Sequence, residues 1–246
     1  VIVSAHYDHL GIGPEINNDA IYNGVLDNAL GVSALLEIAK KIKENEKLLA
    51  RSVIFIATTG EEKGLLGSSY YTDHPIFPLY KTVANINIDG IAMLDKFNSV
   101  VGVGSNLSNL SDLWSVSVEK FGLAVDPMPS EFYSNEAFNR SDQISFAKAG
   151  IPAILILDAP NYENIDFEEA VEKIIYINEE IYHSPFDDLS INVNYNAAVQ
   201  HSEILSSFIF DISSTNTLIK WNENTPYNFI RLQTIAEKRW NSYILL

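Results

Sequence analysis

The stretch IFIATTGEEKGLLGS, residues 54–68, runs an apolar, partly β-branched segment into Gly60 and then two adjacent acids, Glu61 and Glu62. Unpaired charge at the end of a buried strand costs several kcal/mol unless something compensates it. That tension organises the rest of the chain. Short apolar runs of similar form stand at 1–5 (VIVSA), 52–57 (SVIFIA), 83–88 (VANINI) and 151–157 (IPAILIL). Their length and β-branching read as strands buried on both faces.

Between the first two runs, GVSALLEIAKKIKEN places Val32, Leu35, Leu36, Ala39 and Ile42 on one helical face with lysines opposite. LSNLSDLWSVSVEKFG at 107–122 and AAVQHSEILSSFIFDIS at 197–213 read as two further amphipathic helices. The alternation predicts an α/β fold, a mixed and mostly parallel central sheet with helices on both faces. GIGPEINNDAIYNG at 11–24 and DAPNYENIDFEEA at 158–170 read as long surface loops, which in compact domains are often functional.

The 246 residues fit one domain over 1–246, with the tail 214–246 packing on it, helical at its end and using its tryptophans and tyrosines for packing. No repeat or flexible linker interrupts it. The chain opens directly on a strand instead of a basic, apolar leader, so it is expected to begin inside a larger gene product, a preceding strand or helix being absent. A net charge of −16 argues against a nucleic-acid partner, and nothing in the composition calls for a membrane. With no cysteine, any metal must be held by His, Asp and Glu, and a thiol nucleophile is excluded.

His6 and Asp8 follow the first strand, Glu61 and Glu62 the second, and Asp89 ends the third. Carboxyl ends of parallel strands share one edge, where open α/β sheets bind ligands. Asp27 precedes a helix returning from that edge, and His183 lies in a polar loop able to fold over it. Singly, each has an ordinary explanation: Asp27 as a helix N-terminal acid, the histidines as hydrogen-bonded, Asp89 as a turn residue, the glutamates as a solvated pair. Together, several charges at the ends of buried strands point to cations. Five ligands of type His, Asp, Glu, Asp, His suit two zinc ions if one aspartate is shared, leaving one glutamate free as general base in peptide-bond hydrolysis.

The ordered segments SAHYDHLG, DNALGVSALLEIA, TTGEEKGLLGSSYY, NINIDGIAM, NRSDQISFAKAGIPAILI and YHSPFDD resemble the di-zinc aminopeptidase family that includes bacterial leucine aminopeptidases and, more distantly, glutamate carboxypeptidase and the transferrin receptor. The resemblance covers residues 1 to about 190. It implies a zinc exopeptidase (phosphorylase/hydrolase-like) fold, with His6 and Asp89 on one zinc, Glu62 and His183 on the other, and Asp27 bridging both. It implies Glu61 as general base, Asp8 orienting His6, Asp187 doing the same for His183, Tyr182 as an oxyanion donor and Arg140 as a substrate contact. A cis peptide between Asp27 and Asn28 is implied too. Leu26, Leu30 and Gln143 depart from the family's usual residues, none at a ligand position.

The expected activity is an aminopeptidase acting on peptides with a free N-terminus, in a secreted or periplasmic setting by resemblance alone. The alternatives are a dipeptidase or carboxypeptidase on the same centre, a glutaminyl cyclase-like enzyme with one zinc, and a non-catalytic binding module. The side-chain directions at a strand end let Glu62 reach a metal while Glu61 faces the attacking water. Removing Glu62 should therefore cost zinc, and removing Glu61 only chemistry.

Overall fold

The computed structural model describes residues 1–127 and 137–244, with side chains through residue 236. Its strands are β1 (Ile2–His6), β2 (Gly11–Ile16), β3 (Asp19–Tyr22), β4 (Ile54–Thr58), β5 (Asn85–Asn87), β6 (Ser99–Val103), β7 (Ala124–Val125) and β8 (Ala153–Asp158). Its helices are α1 (Leu30–Glu44), α2 (Leu66–Asp73), α3 (Leu110–Glu119), α4 (Gln143–Lys148), α5 (Phe167–Tyr176), α6 (Tyr195–Ser214) and α7 (Pro226–Ile244).

Six strands form one sheet in the order β4-β1-β5-β8-β6-β7. The pairs β1/β4, β1/β5, β5/β8 and β6/β7 are parallel, and β6 runs antiparallel to β8. The sheet is thus mixed and mostly parallel. Strand alternation sends Val3, Ala5, Ile86, Ile88, Ile154 and Ile156 into one core with residues of α1, α3 and α6. Ile2 and Ala153 enter a second core on the other face with Tyr71 of α2, Ile144 and Phe146 of α4, and Trp221. Helices therefore cover both faces.

The four apolar runs became β1, β4, β5 and β8, but β4 is an edge strand and only partly buried, because a single neighbour leaves one side open. The face of α1 is also rotated from expectation. Ala34, Leu35, Ile38 and Ile42 are buried, whereas Leu36 is 67% exposed. The 11–24 segment folds as the hairpin β2/β3, whose β2 residues stay solvent-exposed, and α5 begins inside the 158–170 segment. Trp221 of the tail is buried with its Nε1 donating to the Gly150 carbonyl at 3.0 Å, a packing role; Trp240 and Tyr243 lie outside the described side chains. Among the described residues, no helix is long and apolar enough to cross a membrane.

Candidate metal centre

His6 closes β1 and is 1% exposed. Its Nδ1–H donates to the backbone carbonyl of Asp8 at 3.1 Å, which turns Nε2 toward Asp27 Oδ1 at 3.2 Å and Asp89 Oδ1 at 3.3 Å. Burial lowers the basicity of the ring, but the contacts with Asp27 and Asp89 outweigh it and raise its pKa to about 12. A protonated ring would balance the two carboxylates. A divalent cation among these three atoms would supply that charge instead and take Nε2 as a neutral ligand.

Asp27 sits in an irregular helical turn, Val25–Ala29, that feeds α1. The Asp27–Asn28 peptide is cis, as the family resemblance implies. The turn is anchored from two directions: Asn28 Nδ2 donates to the Ile88 carbonyl at 2.8 Å, and Asp187 accepts the N–H groups of Leu26 at 2.7 Å and Asp27 at 3.1 Å. Asp187 therefore holds the Asp27 backbone; the orienting role toward His183 expected for it is not what its carboxylate does. Burial raises the Asp27 pKa, yet His183 and His6 pull it well below the usual carboxylate range.

The second oxygen of Asp27 faces a different group of side chains. His183 Nε2 lies 3.2 Å from Asp27 Oδ2 and 3.0 Å from Glu62 Oε2, and proximity to these acids raises its pKa to about 9. His183 has φ of 58°, a left-handed conformation uncommon outside glycine, and its ring stacks on Tyr182 with centroids 3.7 Å apart. On the other side of Glu62 stands His9, its Nδ1 2.9 Å from Glu62 Oε1 and 3.8 Å from Asp27 Oδ2. His9 had not been singled out from the sequence. The available signal was its place three residues after His6, on the same strand end.

The two glutamates occupy a pinned turn. Gly67 N–H donates to the Thr59 carbonyl at 2.8 Å, Leu66 N–H to Gly60 at 2.9 Å and Leu65 N–H to Glu61 at 2.9 Å. Glu61 N–H in turn donates to Asp8 Oδ1 at 3.3 Å. Asp8 thus serves His6 through its backbone carbonyl and Glu61 through its carboxylate, whose distance to His6 Nδ1 is 3.8 Å. Glu62 joins the two histidines, whereas Glu61 lines a cavity of about 670 Å³. Burial and the neighbouring Asp89 push the Glu61 pKa up to about 8.

The cavity is walled largely by apolar side chains, among them Met93, Val101, Leu155, Leu157, Ile177 and Ile181, with Asp27, Glu61 and Asp89 on one side and Tyr182 and Arg140 also lining it. Burial and the nearby carboxylates raise the Tyr182 pKa, so its hydroxyl stays protonated and able to donate. Arg140 is exposed and makes no ion pair among the described residues.

Below Asp89 runs a buried polar chain. Asn85 Nδ2 donates to Ser4 Oγ at 3.0 Å, Ser4 Oγ to Asn87 Oδ1 at 2.7 Å, Asn87 Nδ2 to Ser141 Oγ at 2.8 Å, and Ser141 Oγ to Asp89 Oδ2 at 2.6 Å. Each link fixes the proton direction of the next, and the chain ends as a donor on Asp89. Its Oδ1 is left for His6 and the site.

The residues fit a pair of divalent cations on chemical grounds. His6, Asp27 and Asp89 converge in one group and His9, Asp27 and Glu62 in another, each offering ligand atoms within 4.8 Å of one another. Asp27 Oδ2, Glu62 Oε1 and His9 Nδ1 are buried and stand close to one another and to His183 without hydrogen-bond alignment, as atoms facing a shared cation would. The donors are all imidazole nitrogen and carboxylate oxygen, a set suited to zinc.

Aminopeptidase YwaD of Bacillus subtilis (strain 168) is 26% identical over 212 residues, covering 86% of this chain and 40% of that protein. The alkaline phosphatase isozyme conversion protein of Escherichia coli (strain K12) is 29% identical over 173 residues, covering 66% of this chain and 49% of that protein. The chain thus spans less than half the length of either. LapB from Legionella pneumophila shares the fold with a TM-score of 0.64 at 19% identity, covering 87% of this chain and 52% of that one. Glutaminyl cyclase from Porphyromonas gingivalis does so with a TM-score of 0.59 at 18% identity, covering 85% and 71%. The profile of peptidase family M28 matches residues 1–209, and the chain belongs to that family.

Proposed function

We propose that the protein is a zinc-dependent aminopeptidase that uses two zinc ions and Glu61 as general base. One observation carries the reading: Asp27 presents Oδ1 to His6 and Oδ2 to His183, each at 3.2 Å, so one carboxylate is shared by two ligand groups. His6 and Asp89 would hold one ion, Glu62 and His183 the other, with Asp27 common to both. When bound, the ions polarise the scissile carbonyl and acidify the attacking water.

The chain's own residues do the rest. Glu61 takes the proton from the attacking water and returns it to the leaving amine. Tyr182 donates its hydroxyl to the developing oxyanion from beside His183. Asp8, through its bond to the Glu61 N–H, fixes where that base begins. The free amino group of the substrate meets the carboxylates of Glu61 and Asp89, its side chain enters the apolar cavity, and Arg140 contacts the peptide from the cavity wall.

The assay is hydrolysis of leucyl-nitroanilide and of a leucyl peptide beside their N-acetylated forms. Cleavage of the free-amine substrates alone supports the reading, and equal cleavage of the blocked ones contradicts it. The fold likeness to a glutaminyl cyclase supports a second reading, a cyclase working with one zinc; cyclisation of an N-terminal glutaminyl peptide with one metal per chain would favour it. Export from the cell is proposed from the family resemblance.

A further inference from the structure

We propose that His9 is a further protein ligand of the second cation, so that the two metal positions are unequal: one held by His9, Asp27, Glu62 and His183, the other by His6, Asp27 and Asp89. The proposal rests on the two-cation reading and adds to it a residue which that reading does not use.

The geometry of the four donors carries it. Around the second position the separations are 2.9 Å (His9 Nδ1 to Glu62 Oε1), 3.0 Å (His183 Nε2 to Glu62 Oε2), 3.2 Å (His183 Nε2 to Asp27 Oδ2) and 3.8 Å (His9 Nδ1 to Asp27 Oδ2). Ligands about 2.0–2.1 Å from a tetrahedral zinc stand roughly 3.3 Å from one another. These separations, four of the six donor pairs, bracket that value, with Glu62 meeting His9 through Oε1 and His183 through Oε2.

The ordinary alternative is that His9 is a hydrogen-bonded partner of Glu62. Despite the 2.9 Å approach, neither ring nitrogen of His9 has a hydrogen-bond partner among the described residues, and the side chain is 6% exposed. The approach to Glu62 Oε1 lacks hydrogen-bond alignment, and a cation between the two would satisfy the nitrogen that faces the acids. The chain also makes room for the ring. Gly24 has φ of 72°, and a Cβ there would lie 2.3 Å from the Asp27 carbonyl oxygen and 2.5 Å from His9 Cγ, so a side chain at position 24 would crowd both the Asp27 turn and the His9 ring.

The position beside Asp89 adjoins the cavity, since Asp89 lines that cavity and His9 does not.

The test is zinc content per chain after dialysis against a weak chelator, with cobalt absorption spectra of the substituted protein, for the wild type, His9→Ala and His9→Phe. Phe keeps a ring against Gly24 without a ligand nitrogen, and far-UV circular dichroism establishes that each variant is folded. Two ions in the wild type, and one in both folded variants with affinity for the second lower by about 100-fold or more, is the expected result. Two ions in the wild type and in folded His9→Phe, with unchanged affinity and cobalt spectrum, overturns the assignment of His9 and leaves the two-cation reading standing. Fewer than two ions in the wild type overturns the two-cation reading itself.

Discussion

Asp187 accepts the backbone N–H groups of both Leu26 and Asp27, at 2.7 and 3.1 Å, from 160 residues further along the chain. It is fully buried, and its own backbone carbonyl accepts the Val25 N–H at 3.2 Å. The loop that carries His183 thus holds the turn that carries Asp27.

Replacing Asp187 should therefore act through the backbone on Asp27, the proposed shared ligand. Asp187→Ala leaves two buried N–H groups unpaired and frees the Asp27 turn, so zinc affinity is expected to fall by about 10- to 100-fold. Isothermal titration of the metal-stripped protein measures this, and an unchanged affinity in a folded variant would exclude the coupling.

Ser141 gives a second prediction, at the other ligand group. Its hydroxyl accepts from Asn87 and donates to Asp89 Oδ2, so Ser141→Ala removes the donor that fixes Asp89 and leaves one Asn87 bond unmade. Stability should fall by about 1–3 kcal/mol in urea titration, as for a buried polar group losing its partner. Ser141→Thr, which keeps the hydroxyl, should restore the kcat/KM that Ser141→Ala loses.

A third prediction concerns acid stability. His201 is fully buried against Phe97, and burial lowers its pKa to about 4. The unfolded chain binds this proton near pH 6.5 and the folded chain only near 4, so the contribution is complete above pH 6.5 and is lost as pH falls toward 4. The slope is up to about 1.4 kcal/mol per pH unit. His201→Leu should lessen the loss of unfolding free energy between pH 7 and 4.5 relative to the wild type, and parallel curves for the two proteins would contradict this.

The residues legible in the sequence were those whose position follows from strand ends. His6, Glu61, Glu62 and Asp89 lie at the carboxyl ends of β1, β4 and β5, and parallel pairing brings them to one edge. Asp27 and His183, reached by longer loops, were read from a helix start and a polar loop facing the same edge, and the family resemblance assigned their roles. Asp187 was given the wrong partner because a contact across 160 residues leaves no local pattern. His9 was passed over because it lies three residues past the end of β1, in the irregular segment that follows it. The antiparallel β6 went unread, since SVVGV is short and broken by glycine, and the exposed β2/β3 hairpin lacks the alternation that a half-buried strand shows.

The adjacent pair Glu61 and Glu62 offers the most direct comparison. Glu62 meets His9 and His183, whereas Glu61 lines the cavity. The decisive measurement is zinc content per chain, taken beside aminopeptidase turnover, for Glu61→Gln and Glu62→Gln. Glu61→Gln is expected to keep both ions and lose about 100- to 10,000-fold in turnover, the usual worth of a general base. Glu62→Gln is expected to lose an ion. Near-normal turnover in Glu61→Gln, or equal zinc retention in the two variants, would contradict the division of labour between these neighbours.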